Sequence, residues 1–228
     1  MKKFFKSLML ISVCLGLSAT VNAKTFRYAT TGDILGLDPH ANNEGPTNTM
    51  KGNIYGRMLH RKADLSLEPD LATKWEKLDA NTWRFSLRRG VKFHNGNDFN
   101  ADDVLFSYKR QTQEASDMSF ALATIKQINK VDDYTVDLIT KGPDPILLLN
   151  MPMFYIVDKE WIEANNAFEV VRASGSTNFA NVNTNGTGPF KVVEWIQDTR
   201  IVLEPFEGYW GKNQIQHNLT KAVFTPIS

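Results

Sequence analysis

The sequence predicts a mixed α/β fold, and three observations support this prediction. Phe26 to Thr30 and Trp83 to Leu87 alternate apolar and polar residues with period two, which is typical of β-strands with one buried face. Asn100 precedes an amphipathic run with an acidic first turn, which predicts a capped helix. Hydrophobic residues make up 42% of the 228 residues, including five tryptophans and fourteen phenylalanines, so the chain has enough apolar surface for a packed core.

The first 23 residues have the composition of a cleavable secretory signal. Three lysines lie within the first six residues, an apolar run follows from Leu8 to Leu17, and the segment closes with Val21-Asn22-Ala23. The apolar run is about half as long as a membrane-spanning helix requires. We therefore expect cleavage after Ala23, which leaves a mature periplasmic chain beginning at Lys24.

The single cysteine, Cys14, lies inside this signal, so the mature chain has no thiol for a disulfide, a metal, a nucleophile or a lipid. The formal net charge is +1, and acidic and basic residues are interspersed along the chain. No basic stripe indicates nucleic acid or anionic lipid as a partner. We expect a soluble monomer that is stabilised by its core alone.

In the first part of the mature chain, the strand that begins near Phe26 leads into a turn at Thr31 to Asp33. A loop follows at Leu37-Asp38-Pro39-His40, because proline lacks a backbone donor and disfavours helix at the residue before it. Thr47 to Leu59 carries apolar residues at near-helical spacing and predicts one helix with Thr47 as its cap.

In the middle of the chain, the strand Trp83 to Leu87 precedes the helix capped by Asn100. Asp102 and Asp103 lie in the first turn of this helix, near the positive end of its dipole. Alternating residues on both sides of Asp132 and Asp133 predict a hairpin.

In the last part, Phe154 to Val157 is expected to be a short buried strand, with a helix from Asp158 onward. Between Ser174 and Gly188, serine, threonine, asparagine and glycine replace most aliphatic residues, which indicates either a segment that crosses between domains or a plain surface loop. Three further strands are predicted at Phe190 to Trp195, Arg200 to Leu203 and Ala222 to Phe224.

The sequence carries no motif of a hydrolase, a nucleotide site or a metal site. Ala173-Ser174-Gly175-Ser176 does not supply the Gly-x-Ser-x-Gly elbow, and no Lys-Ser or Lys-Thr follows Gly186 and Gly188. Capping accounts for the adjacent acids of the Asn100 helix. The four histidines show no pair at helical ligand spacing, and each is interpreted as a surface or capping residue: His40, His60, His94 and His217. We expect no enzymatic activity, no metal and no cofactor.

Several motifs along the mature chain carry a resemblance to a known family. They are LDPH at 37–40, LEPDLA at 67–72, WRFSLRRGVK at 83–92, FHNG at 93–96, FNADDV at 99–104, GTGPF at 186–190 and YWG at 209–211. In this order, they resemble the extracytoplasmic solute-binding proteins of family 5, which include the dipeptide- and oligopeptide-binding proteins of bacterial ABC importers.

The resemblance implies a periplasmic binding protein-like II fold with two lobes around a cleft. It implies that residues 24–59 and 174–228 form lobe I, and that residues 60–173 form an inserted small domain. Family members are roughly twice as long, so we expect the second lobe to be missing from this chain, which makes it a fragment.

The resemblance also implies a function, namely capture of short peptides in the cleft and delivery to permease subunits in the inner membrane. In open α/β sheets, ligands bind beyond the carboxyl ends of strands, which predicts a ligand-binding segment at Thr31, Gly32, Asp33, Ile34 and Leu35. Asp33 either meets a peptide amine or stabilises its own turn.

Other functions stay open on the sequence alone. Related family members accept oligosaccharides, opines or a nickel complex, and the sequence does not decide which solute this chain takes. A secreted hydrolase or a peptide chaperone on the same scaffold is the alternative from a different functional class.

Overall fold

A computed structural model describes residues 24–172, 177–214 and 217–227 of the chain. The predicted signal at 1–23 and the residues around Ser174 lie outside the described residues. The strands within this part of the chain are β1 Lys24–Thr31, β2 Leu59–Arg61, β3 Leu67–Pro69, β4 Ala72–Lys77, β5 Thr82–Leu87, β6 Ile125–Asp132, β7 Thr135–Thr140, β8 Phe190–Ile196, β9 Arg200–Pro205 and β10 Leu219–Ile227. The α-helices are α1 Gly45–Ile54, α2 Ala101–Gln111, α3 Leu147–Asn150, α4 Lys159–Ala164 and α5 Phe179–Val182, with 3-10 turns at Ser119–Leu122 and Met151–Met153.

The first sheet joins the two ends of the described chain, in the strand order β1-β10-β9-β8. β1 pairs parallel with β10, whereas β10 with β9 and β9 with β8 are antiparallel. Tyr28 lies opposite Phe224 in this register, and their ring centroids are 5.2 Å apart. The sheet therefore contains strands from both predicted parts of lobe I, while the boundaries of the parts stay a prediction.

A second four-stranded sheet, in the order β4-β5-β7-β6, is built from residues between these ends and is antiparallel throughout. Phe85 and Leu87 of β5 point into a buried cluster with Val136 and Leu138 of β7, and α2 covers the sheet with Val104. The two remaining strands, β2 and β3, form a small hairpin. The predicted mixed α/β class and the predicted hairpin at Asp132 and Asp133 are confirmed.

The N-terminus of α2 follows the prediction. The Asn100 side chain accepts a hydrogen bond from the Asp102 backbone N–H at 2.7 Å, and Asp103 accepts one from the Asn100 N–H at 2.9 Å. This reciprocal capping box satisfies two backbone donors that a helix start leaves open. The interpretation of the two adjacent acids as capping residues is confirmed.

Two local predictions are wrong. The helix expected over Thr47 to Leu59 spans Gly45–Ile54 instead, because the Glu44 side chain accepts from the Thr47 N–H at 2.8 Å and caps the helix earlier. The strand expected at Phe154 to Val157 makes only a single bridge, Tyr155 with Arg57, because a 3-10 turn ends at Met153 and the cap of α4 begins at Asp158.

α1 stops because glycine-rich backbone packs against its C-terminal end. A Cβ atom at Gly186 would collide with the carbonyl oxygen of Ile54, and one at Gly188 would lie 2.6 Å from the Ile54 carbonyl carbon. The Gly188 N–H donates to that carbonyl oxygen at 2.8 Å, and the Thr187 hydroxyl accepts from the Gly56 N–H at 3.2 Å. The two glycines of the GTGPF motif thus allow close approach of two backbones.

A fully buried ion pair joins the loop after β1 to α2. Arg110 Nη2 and Nη1 lie 2.6 and 2.8 Å from the two carboxylate oxygens of Asp38, and both side chains are 0% exposed. Burial raises the pKa of Asp38, but the attraction and hydrogen bonds of Arg110 outweigh burial and leave that pKa lowered. Arg110 also donates to the backbone oxygen of Ala167 through Nε and Nη2.

His40 extends this network, so the interpretation of His40 as a surface or capping residue is wrong. The side chain is completely buried, its Nδ1 lies 3.0 Å from Arg110 Nη1, and its Nε2 lies 3.0 Å from the Tyr155 carbonyl oxygen. Burial, together with the charge of Arg110, lowers the pKa of His40 to about 3. A neutral ring with its proton on Nε2 satisfies both contacts.

None of the helices in the described part of the chain has the length and apolar character that crossing a membrane requires.

Replacement of Arg110 by methionine tests the buried ion pair. Arg110→Met leaves Asp38 buried without its cation, and we expect the free energy of unfolding to fall by about 3–5 kcal/mol in urea denaturation. The matched control is Arg200→Met, which breaks the exposed pair with Glu194 and should change that free energy by less than about 1 kcal/mol. If the two variants lose equal free energy of unfolding, the buried pair does not contribute more to stability than an exposed one, which would contradict this prediction.

His94 supplies a second stability test, which depends on pH. Burial lowers the pKa of His94 to about 4, against about 6.5 in an unfolded chain. Between these values the unfolded state binds a proton that the folded state does not, so the free energy of unfolding should decrease as pH falls from about 6.5 to about 4. His94→Gln should make this decrease smaller in denaturation curves recorded across that range.

The control for that test is His217→Gln, because the His217 ring is exposed to water in the folded chain. We expect this variant to keep the pH dependence of the parent chain. If His94→Gln also keeps it, the contribution assigned to His94 is wrong.

Candidate functional site

The predicted ligand-binding segment Thr31 to Leu35 lies at the carboxyl end of β1, where the chain leaves the first sheet. Gly32 has a φ of +76°, a left-handed conformation that favours glycine, and its N–H donates to the Ile227 oxygen at 3.1 Å. The Ile34 N–H donates to Asp33 Oδ1 at 2.8 Å, and the Leu35 N–H donates to Thr47 Oγ1 at 2.9 Å. These three backbone donors are therefore engaged within the protein.

Asp33 connects this turn to the β8–β9 hairpin. Its Oδ2 accepts from Trp195 Nε1 at 3.2 Å and from the Asp198 N–H at 2.7 Å, while Oδ1 accepts from Ile34. Asp198 has a φ of +56°, so the carboxylate holds a tight turn in an uncommon backbone conformation. A carboxylate has about four acceptor positions, which leaves about one for a ligand. The contact of Asp33 with a peptide amine stays a prediction.

A surface cavity of about 380 Å³ is lined in part by residues of α1, and we call it the arginine groove. Four separate parts of the chain build it: the loop and first turns of α1, the chain around β2, the 3-10 turn at Ser119–Leu122, and the segment that precedes α4. Its lining residues are Asn43, Asn48, Thr49, Arg57, Arg61, Met118, Phe120, Pro152, Met153 and Tyr155. The Leu35 N–H bonds to Thr47, which directly precedes two of these residues.

Two guanidinium groups give the arginine groove its positive charge. Arg57 Nε lies 3.9 Å from Asp70 Oδ2, and Arg57 Nη2 lies 3.1 Å from His60 Nδ1. Arg61 donates through Nη2 to the Leu149 carbonyl oxygen and has no ion-pair partner among the described residues. The Nε atoms of both arginines are buried without an acceptor in the described part of the chain. No lining residue of the groove is acidic.

Part of the lining of the arginine groove is apolar. Met118 and Tyr155 are buried, whereas the Phe120 side chain is 49% exposed and Met153 is partly buried. The guanidinium of Arg57 lies 5.8 Å from the centroid of the Tyr155 ring. The lining of the groove thus combines cationic and amide groups with aromatic and aliphatic surface, which suits an amphipathic solute.

A larger cavity of about 580 Å³ lies on the other side of Arg57, between α1, the β2–β3 hairpin and the YWG segment. Arg88 donates to the Asp70 carbonyl oxygen at 2.8 Å and stacks on the Trp210 ring at 3.8 Å. Burial raises the pKa of Asp70 to about 6, although the charge of Arg57 opposes the rise. Because positive and negative groups alternate around this cavity, its charge does not favour one ionic class of ligand.

Three carboxylates could in principle hold a metal ion, since Asp103, Asp158 and Glu160 each place one oxygen within 4.8 Å of the others. Asp158 already accepts four hydrogen bonds, from the side-chain amides of Asn95, Asn97 and Asn185 and from a backbone N–H of α4. Burial raises the pKa of Asp103 to about 7 despite two backbone hydrogen bonds. Asp103 therefore caps α2 and Asp158 caps α4, and Asp158 also binds Asn185 in the segment before β8. These structural roles account for the cluster without a metal.

Sequence reasoning did not identify the arginine groove. Arg57 and Arg61 are close in sequence but flank a buried pair, Met58 and Leu59, and neither belongs to a recognisable motif. Phe120 and Tyr155 reach the groove from segments more than 50 residues away. The only available signal was two arginines within five residues with no acidic residue between them.

Comparison with known proteins identifies the family. Residues 66–228 match the model of the bacterial extracellular solute-binding proteins, family 5 Middle. The dipeptide-binding protein of Escherichia coli is 32% identical over 223 residues, which cover 87% of this chain and 41% of that protein. The heme-binding protein A of Haemophilus influenzae is also 32% identical, over 82% of this chain and 37% of that protein.

A solved structure shows the same fold. The ABC transporter-associated periplasmic binding protein DppA of Helicobacter pylori, in complex with the peptide STSA, superposes with a TM-score of 0.76 at 29% identity. The match covers 90% of this chain and 43% of that one, so the chain spans about two fifths of the length of these relatives. On the family model and the dipeptide-binding relative together, the chain belongs to the bacterial extracellular solute-binding proteins of family 5.

Proposed function

We propose that this chain is part of the periplasmic solute-binding component of an ABC importer that captures short peptides and passes them to permease subunits. Two similar proteins bear on the solute, since one is a dipeptide-binding protein and the other is a periplasmic binding protein in complex with a peptide. Because this chain spans about two fifths of their length, the activity of a whole protein is inferred from a part.

The observation that carries the proposal is the composition of the arginine groove. A peptide offers a polar backbone, charged termini and side chains that are often apolar, and it needs a site with both kinds of wall. Asn43 and Arg61 supply polar groups to the groove, and Phe120 supplies half-exposed apolar surface. An exposed aromatic ring beside unpaired donors is unfavourable in an empty site and becomes favourable when a ligand covers it.

The turn Thr31 to Leu35 is proposed as a second contact. Asp33 retains about one acceptor position and a negative charge, which suit the amine of a peptide. Leu35, at 47% exposed, offers apolar surface next to it. In this proposal the amine end of the peptide lies toward Asp33.

Transport follows from closure of a two-lobed cleft. In this proposal lobe I and the inserted small domain together present one wall, and a second lobe adds contacts that exist only in the closed form, so ligand shifts the population toward the form that a permease accepts. This mechanism needs no covalent chemistry, and we propose no enzymatic activity. We propose the periplasm as its location, after cleavage at Ala23, and a monomer as its state.

A solute other than a peptide is the second candidate. The similarity to the heme-binding protein A of Haemophilus influenzae supports it, since that relative has the same 32% identity as the dipeptide-binding protein, over a somewhat smaller share of this chain. Both candidates are binding functions. They differ in whether the solute is recognised through amide and terminal charges or through a large apolar ring.

Titration of the mature chain, residues 24–228, with the tripeptide Ala-Phe-Ala tests the peptide proposal. We expect amide resonances in NMR spectra to shift for Thr31 to Leu35 and for the residues that line the arginine groove. One lobe makes only part of the contacts, so the dissociation constant should lie in the range of about 0.1–10 mM. Mass spectrometry of the recovered peptide should show it intact.

Three results separate the alternatives. Shifts caused by heme but not by peptide would favour the second candidate, and cleaved peptide would favour a hydrolase. Absence of any shift with several millimolar peptide would contradict the proposal. Resonances of the β6–β7 hairpin serve as an internal control, because we do not place that hairpin in the ligand site.

Comparison of free and N-acetylated Ala-Phe-Ala tests the role of Asp33. If its carboxylate meets the amine, the parent chain should prefer the free peptide by about tenfold, the usual size of one charge-assisted hydrogen bond. In Asp33→Asn this preference should disappear. If Asp33→Asn acts only by disturbing the turn, binding of both peptides should weaken equally and the preference for the free peptide should stay unchanged. Asp133→Asn, on the β6–β7 turn, is the control and should keep the preference.

A further inference from the structure

We infer that the arginine groove selects ligands that carry a carboxylate next to an apolar group, and that Arg61 is the residue that recognises the carboxylate. This inference rests on the proposed function, because it assigns a specificity to the same site. The carboxylate can be an acidic side chain or the free C-terminus of a peptide.

The two arginines of the groove differ in how their charge is compensated. Arg57 forms an ion pair with Asp70, whose carboxylate lies 3.9 Å from Arg57 Nε. Asp70 lines the larger cavity and not the arginine groove. Arg61 has no carboxylate partner among the ion pairs of the described residues, and its one hydrogen bond there goes to a neutral carbonyl, that of Leu149. The uncompensated charge of the groove therefore belongs to Arg61.

The hydrogen bonds of Arg61 leave part of its guanidinium open to a ligand. A guanidinium has five N–H donors in one plane; in the described structure Arg61 bonds only through Nη2, its Nε is buried, and no hydrogen bond engages Nη1. A carboxylate is an acceptor that fits such N–H groups well. A carboxylate bound in the groove supplies the acceptor that the protein does not.

Apolar side chains of the same groove suit the rest of the ligand. Phe120 and Met153 line the groove together with the two arginines, and the Phe120 side chain is 49% exposed. With about 380 Å³, the groove has room for one or two amino-acid residues. An acidic peptide residue flanked by an apolar one fits both parts of this lining.

The test compares three peptides by calorimetry or NMR titration of the mature chain: Ala-Phe-Ala with a free C-terminus, Ala-Phe-Ala amide, and Ala-Glu-Phe amide. We expect the amide of Ala-Phe-Ala to bind at least about tenfold more weakly than either peptide with a carboxylate. The relative affinities of the other two distinguish a terminal carboxylate from a side-chain carboxylate.

Variants of Arg61 then assign the preference to that residue. Arg61→Gln should bind all three peptides with affinities within about twofold of one another, while Arg61→Lys should keep part of the preference because it keeps the charge. Lys62→Gln is the matched control, since it removes one positive charge from the adjacent exposed position and should keep the full preference. Thermal unfolding of each variant verifies that it is folded.

The outcomes separate this inference from the proposed function. If the parent chain binds all three peptides equally, or if Arg61→Gln keeps the preference, the specificity is wrong while peptide binding stands. If none of the peptides binds, both are wrong. A preference that is lost in Arg61→Gln and partly kept in Arg61→Lys supports the inference.

Discussion

The buried pair of Arg110 and Asp38 is the contact on which the rest of the structure depends. It lies where the loop after β1, helix α2 and the chain after α4 meet, and α2 contributes to both buried clusters. A paired charge at this depth contributes less net stability than apolar packing, but it strongly disfavours every arrangement that separates the partners. His40 completes the geometry and stays neutral, so the network holds one positive and one negative charge.

The arginine groove is a product of that junction. Arg57 and Tyr155 form the bridge between the chain after α1 and the chain before α4, and the Tyr155 carbonyl is bound by His40. Arg57 thus connects the groove to the network around the central ion pair. Because Asp70, His60 and the bridge to Tyr155 already restrain Arg57, its side chain would lose little entropy on contact with a ligand.

Local signals in the sequence were sufficient for most strands and for the capping of α2, because alternation and caps act within a few residues. The end of α1, the burial of His40 and the groove depend on contacts between residues far apart in the chain, such as Gly188 with Ile54. The helix over Thr47 to Leu59 was overextended because apolar spacing alone does not show where another backbone interrupts it. Asp33 was located correctly at a strand end, but its three internal donors were not foreseeable.

The contact of the GTGPF segment with the end of α1 has a consequence for substitutions. It is made largely by main-chain atoms of Gly186, Gly188 and Ile54, so it requires glycine at positions 186 and 188 but no particular side chain at Ile54. Substitutions that alter the lining of the arginine groove would leave this main-chain contact intact, because none of its three residues lines the groove.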